Sequence, residues 1–147
     1  MQKSLPKLIH QNQSSFIKGR FIGESIRNIQ DIMAYTDKNK LNGLLLFIDF
    51  EKAFDTIEWS FLKKALEKFN FGQGFLRWIQ ILYNNISSCI MKNGSTCQYF
   101  SLKRGVRRGD PLSPYLFILA QEILAIKIRL HTNIVGYNFN SVVQNLS

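Results

Sequence analysis

The sequence has little cysteine, histidine or proline, few acids, and no long unbroken apolar run. Among 147 residues there are 2 cysteines, 2 histidines and 3 prolines. Cys89 and Cys97 flank Asn93-Gly94, a pair that favours a two-residue hairpin turn. With Lys92 opposite Ser95 and Ile90 opposite Cys97, Cys89 falls opposite Gln98, and the alternation of strand faces points the two thiols to opposite sides. That argues against a disulfide and for a reduced, intracellular protein of nucleus or cytoplasm. His10 and His131 are far apart and make no zinc pattern with two cysteines. The opening MQKSLPKLIHQNQ carries no continuous apolar stretch, so no signal peptide is expected. The longest apolar run, Leu44 to Phe50, is interrupted by Asp49 and falls well short of the ~20 residues a bilayer span needs. No membrane is therefore expected among the partners, and no repeat or low-complexity segment is present.

The shortage of acids is the more informative one. Lys plus Arg number 19 against 10 for Asp plus Glu, a formal net charge of +9. Such a surplus suits a polyanionic partner, nucleic acid first and anionic membrane second; the plainer alternative is a basic domain that the charge merely keeps in solution. What is abundant is apolar: 46% hydrophobic residues, with 12 Phe, suffice for a core and exclude a disordered chain. The length suits one domain or part of a larger one.

Hydrophobic spacing predicts a helix over 24–35, with Ile26, Ile29, Ile32 and Met33 on one face. The apolar run 44–50 reads as a central strand buried on both faces. A helix over 59–69 follows from Leu62, Ala65, Leu66 and Phe69, and another over 75–83 from Phe75, Ile79 and Leu82. A hairpin pairs 88–92 with 95–100. A basic loop, 102–111, precedes a long helix that begins at Ser113-Pro114, with Ser as cap and Pro in the first turn. Its apolar face is read as Phe117, Ala120, Ile123 and Leu124, and Lys127, Arg129 and His131 near its end suit the helix dipole. Two short strands are expected over 134–146. The order implies an α+β fold, with helices packed on a small antiparallel sheet.

Asp49 ends the apolar run. A buried carboxylate there requires a partner or a metal, whereas a strand ending at Ile48 leaves Asp49 in solvent. The residues around it, Asp49-Phe50-Glu51-Lys52-Ala53-Phe54-Asp55, resemble motif A of reverse transcriptases in the form found in non-LTR (LINE-type) retrotransposons. The resemblance implies that Asp49 and the backbone carbonyl of Phe50 hold catalytic Mg2+, a hard cation that prefers oxygen ligands. It also implies that Phe54 lies under the sugar of the incoming nucleotide and rejects a 2′-hydroxyl; ordinary core packing is the alternative for that ring. Asp55 belongs to the pattern with no chemical role to assign, beyond capping the next helix.

Downstream, the fourteen residues from Arg104 to Phe117 (RGVRRGDPLSPYLF) resemble motif B of the same family. There the glycine, here Gly109, lets the backbone approach template base and nucleotide, with Pro111 beside it. The family usually has Gln before this glycine. This chain has Arg108, which offers no acceptor and a fixed positive charge, leaving a nucleotide phosphate as its possible contact and putting correct nucleotide positioning in doubt. A weaker likeness covers Gln13 to Arg20, where Ser15 stands for a glycine and Lys18 and Arg20 are candidate phosphate contacts or members of a solvated basic loop. Lys103, Arg104 and Arg107 complete the candidate nucleic-acid contacts. The hairpin around Asn93-Gly94 also occurs at this place in such polymerases, so the resemblance runs from about residue 10 to about residue 140.

The resemblance implies a partial right-hand polymerase fold, with 1–42 as a fingers-proximal segment and 43–147 as palm. The partners would be an RNA template, a DNA primer and deoxynucleoside triphosphates. The third motif of the family, aromatic-Ala-Asp-Asp, has no counterpart: there is no Asp-Asp pair, and no Asp follows Asp110. The thumb and endonuclease are also expected to lie outside this chain. Two-metal chemistry needs more carboxylate than Asp49 supplies, so the chain alone is expected not to polymerise. The open end of the palm sheet is expected to expose an apolar edge. The competing expectations are a non-catalytic nucleic-acid-binding remnant and a fragment related to group II intron maturases.

Overall fold

The computed structural model describes residues 4–136. Six helices are described: α1 (Leu5–Leu8), α2 (Ile22–Lys38), α3 (Ala53–Thr56), α4 (Trp59–Lys68), α5 (Gln73–Leu82) and α6 (Ser113–Arg129). Four two-residue strands lie between α5 and α6: β1 (Ser87–Ser88), β2 (Met91–Lys92), β3 (Ser95–Thr96) and β4 (Phe100–Ser101). The architecture is α+β with a small antiparallel sheet, as the sequence implies. The strands expected over 134–146 lie almost wholly outside the described residues.

The core is a three-helix junction. α4 packs on both α5 and α6, and α3 packs on α6. Leu62 and Leu66 of α4 meet Leu76 and Ile79 of α5 and Leu116 and Leu119 of α6, all 5% exposed or less. These are the i, i+3 and i+4 positions of their helices, which is why the periodicity locates α4 and α5 within a residue or two. Each fully buried Leu contributes about 1.5–3 kcal/mol by leaving water. Leu5, Ile9 and Ile17 from the N-terminal stretch close one side of this core.

The hairpin keeps the expected register at its tip, with Lys92 opposite Ser95 and Met91 opposite Thr96. Cys97 N–H donates to the Ile90 carbonyl at 2.9 Å. Further down, Ser88 pairs with Phe100 and Ser87 with Ser101, so residues 97–99 face only residues 89–90 and the ladder slips by one. Both cysteines are free thiols.

Three expectations are corrected. First, residues 44–50 form no strand and are exposed throughout, Leu44 at 90% and Phe47 at 76%. A central strand is buried only when ladders flank it and layers cover both faces, and no described strand pairs with this segment. Second, the helix expected over 24–35 is present but longer, as α2 over Ile22–Lys38; of its apolar stripe Ile29 and Ile32 are half-buried, while Ile26 and Met33 are each 56% exposed. Third, the buried face of α6 is Leu116, Ile118, Leu119 and Ala120 rather than Phe117, Ala120, Ile123 and Leu124, and Leu124 is 38% exposed. α6 is apolar nearly all round, so spacing alone selects no unique face. Its cap is Leu112, one residue before the expected Ser113.

Candidate functional site

The two sequence motifs meet. Val106 N–H donates to the Phe54 carbonyl at 2.6 Å, and Gly105 N–H donates to the Ile57 carbonyl at 2.7 Å. Glu58 and Arg104 form an antiparallel bridge next to the second of these contacts. The basic loop thus docks along the turn that follows Asp49 like a short added strand. Side chains extend the junction: Trp59 Nε1–H donates to the Gly105 carbonyl at 2.7 Å, and Arg108 Nη2 donates to Asp55 Oδ2 at 2.5 Å.

Gly105 has a reason to be glycine at this junction. Its φ is +94°, and a Cβ there would stand 3.1 Å from Asp55 Cα and 3.2 Å from the Phe54 carbonyl oxygen. Gly109 also has a left-handed φ, +82°, but a Cβ on it would meet nothing within 4 Å. Of these two glycines, the one in close approach to another part of the chain is therefore Gly105. The sequence offered no sign of this, because the neighbour that crowds Gly105 lies some fifty residues upstream.

Asp49 lies in solvent-exposed, irregular chain, and its Oδ1 accepts the Phe50 amide at 2.9 Å. No group of three or more His, Cys, Asp or Glu side chains gathers among the described residues. Asp49 and the Phe50 carbonyl have the oxygen chemistry a hard divalent ion prefers. By themselves they do not complete a site for one.

Phe54 is half-buried and packs on Phe117 of α6, with ring centroids 5.3 Å apart; Phe50 meets the same ring edge-on at 6.0 Å. In this arrangement Phe54 is a core contact. Beside these rings α3, α4 and α6 leave an open apolar groove of about 450 Å³, bounded in part by Phe50, Phe61, Phe117 and Leu124.

The candidate cations divide into engaged and free. Arg20 gives four N–H bonds to backbone carbonyls of its own chain, at Pro6, Ile9, His10 and Gln13, over 2.6–3.3 Å. Four of its five donors are spent in clasping the N-terminal stretch. Arg107 Nη2 donates to the Leu82 carbonyl at 3.3 Å, at the end of α5. Lys18, Lys103 and Arg104 are exposed and have no side-chain partner among the described residues. Pro111 is exposed in the turn before α6.

Sequence reasoning missed a buried carboxylate. Glu122 of α6 is 3% exposed and is paired with Arg129, one of the two basic residues in the last turn. It also missed two buried hydroxyls, Tyr83 Oη and Ser113 Oγ, for which the described residues supply no hydrogen-bond partner at ordinary geometry. Burial pushes the Tyr83 phenol up from its ordinary 10.0; the nearby Asp110 carboxylate adds to this and Ser113 opposes it.

Comparison with known proteins agrees with the motifs. The family model described as reverse transcriptase (RNA-dependent DNA polymerase) matches residues 1–139. A Xenopus laevis protein named transposon TX1 uncharacterized 149 kDa protein is 31% identical over 122 residues, covering 83% of this chain and 9% of its own length. The Pol polyprotein of the Drosophila melanogaster retrotransposable element R2DM is 25% identical over 114 residues, covering 78% of this chain and 10% of its own length. A Pol polyprotein of the Popillia japonica element R2 is 35% identical over 90 residues. The chain spans about a tenth of the length of the first two relatives. The chain belongs to the reverse transcriptase (RNA-dependent DNA polymerase) family and is homologous to the Pol proteins of non-LTR retrotransposons.

Proposed function

We propose that the chain is the fingers–palm portion of an RNA-directed DNA polymerase, with 1–42 next to the fingers and 43–147 in the palm of a right-hand fold. The whole protein would extend a DNA primer on an RNA template inside the cell, in nucleus or cytoplasm. The observation that carries the reading is the backbone docking of residues 104–106 on residues 54–58, which joins the two motifs across the chain. In this reading Asp49 and the Phe50 carbonyl are this chain's share of a Mg2+ site, Phe54 faces the nucleotide sugar, and Gly109 and Pro111 border the template base. Lys18, Lys103 and Arg104 are the cations available to phosphates. The described carboxylates complete no metal site, so no step of phosphoryl transfer is assigned to this chain.

Two measurements test the reading. A primed RNA template with Mg2+ and deoxynucleoside triphosphates should show no extension by the isolated chain; extension would overturn its assignment as inactive alone. Filter binding of single-stranded RNA should be measurable at low salt and fall steeply as salt rises. Absence of binding at low salt would remove nucleic acid from the reading. A non-catalytic binding module is the second reading, favoured by the solvent-exposed Lys103 and Arg104. In a longer chain carrying the Asp-Asp hairpin, polymerisation lost on Asp49→Asn decides for the polymerase.

A further inference from the structure

We propose that Arg108 is a positioning residue whose charge belongs to Asp55, and that it is not one of the cations available to nucleic acid. Its Nη2 lies 2.5 Å from Asp55 Oδ2, a charge-assisted hydrogen bond that spans 53 residues of sequence. The pair sits at one end of a continuous junction. Starting from Trp59, the contacts run through the Gly105 carbonyl, the Gly105 and Val106 amides, and then Arg108 on Asp55.

Two adjacent residues of the loop are therefore held in different directions. Arg107 reaches the Leu82 carbonyl at the end of α5, while Arg108 reaches back to α3. Between them and α6 lies the turn at Gly109, with a left-handed φ of +82°, and the residue before it is the one to be anchored. Arg108 fixes it through Asp55. This gives Asp55 the role that its place in the sequence pattern did not reveal.

The electrostatics point the same way. A carboxylate 2.5 Å from the guanidinium leaves a neutral pair, which attracts a phosphate far less than a free cation does. Drawing Arg108 onto a phosphate would also leave Asp55 facing that phosphate unpaired. Of the three arginines in 104–108, only Arg108 is paired with a carboxylate among the described residues; Arg107 gives one bond to a neutral carbonyl, and Arg104, with Lys103 beside it, has no side-chain partner.

The pair itself can be tested without nucleic acid; its consequence for RNA rests on the function proposed above. Amide hydrogen exchange at Gly105 and Val106 reads the junction directly. Asp55→Asn and Arg108→Gln should each speed exchange by about two- to fivefold, in the range of exposed ion pairs. The double variant should be no faster than either single one, and the swapped pair, Asp55→Arg with Arg108→Asp, should recover protection. Single variants without effect, or effects that simply multiply, would overturn the pairing. Both side chains are exposed, so the variants should fold, and circular dichroism checks this.

A uridine oligonucleotide titrated across KCl concentrations reads the second part. Arg108→Gln should leave the salt slope unchanged, and Asp55→Asn should raise it by about 0.7, the value of one freed cation on a single strand. Lys103→Ala with Arg104→Ala should lower it by roughly twice that amount. A loss of about 0.7 on Arg108→Gln would overturn the assignment. If the unaltered chain binds no RNA, it is the proposed function that fails, and the exchange experiment alone decides the role of Arg108.

Discussion

The indole N–H of Trp59, the first residue of α4, donates to the Gly105 carbonyl at 2.7 Å, while the amide of the same glycine donates to Ile57 two residues before the indole. Gly105 is thereby held on both of its backbone groups by one turn of chain. Removing either hold loosens the contact between the two motifs.

Trp59→Phe keeps most of the ring packing on Tyr83, whose centroid is 5.8 Å away, and removes the donor. Unfolding in urea should show a loss of about 1 kcal/mol. Gly105→Ala should cost more, about 2–3 kcal/mol, because the left-handed φ and the crowding by Asp55 act together. Gly109→Ala carries a similar φ without the crowding and should cost about 1 kcal/mol. Equal losses for the two glycine variants would show that the crowding plays no part.

Tyr83 makes stability depend on alkaline pH. Burial raises its folded phenol above the ordinary 10.0, so the folded state holds this proton more tightly than the unfolded one. The stabilisation is fully present below the unfolded value and is lost as pH rises through the folded value. Urea midpoints should therefore fall as pH rises beyond 10.0, and Tyr83→Phe should remove that part of the fall. At neutral pH the same variant should be neutral or slightly stabilising, since it deletes a buried hydroxyl without a described partner. A neutral-pH loss above about 1 kcal/mol would show that the hydroxyl has a partner.

Glu122 is buried and Arg129 is about one-third exposed. Arg129→Met leaves the carboxylate uncompensated and should destabilise by roughly 2 kcal/mol, less than for a fully buried pair because solvent reaches the arginine. Replacing both, Glu122→Leu with Arg129→Met, should recover most of that loss. A double variant as unstable as the single would mean that Glu122 has a further partner.

The run Leu44 to Ile48 exposes contiguous apolar side chains. Such a segment pairs with other chains. Leu44→Lys with Leu46→Lys should lower self-association in sedimentation velocity while changing unfolding stability by less than about 0.5 kcal/mol. Unaltered association would place the sticky surface elsewhere, with the exposed face of α2 as the next candidate.

Local rules were enough for much of this protein. The spacing of Leu62, Ala65 and Leu66 located α4, Asn93-Gly94 located the hairpin tip, and the fourteen residues from Arg104 identified the family before any geometry was known. These features depend on residues a few positions apart, and helix period and turn chemistry act at that range. Tertiary structure decided what depends on distant partners. Leu44 to Phe50 has the composition of a central strand, but burial needs flanking ladders that no described residue provides. Asp55 and Arg108 stand 53 residues apart in sequence and become a pair only because the basic loop folds back on α3. That four carbonyls of its own chain take donors of Arg20 is likewise decided by the fold. Charge and pattern are carried by the sequence, whereas which charge is already satisfied is settled only once the chain has folded back on itself.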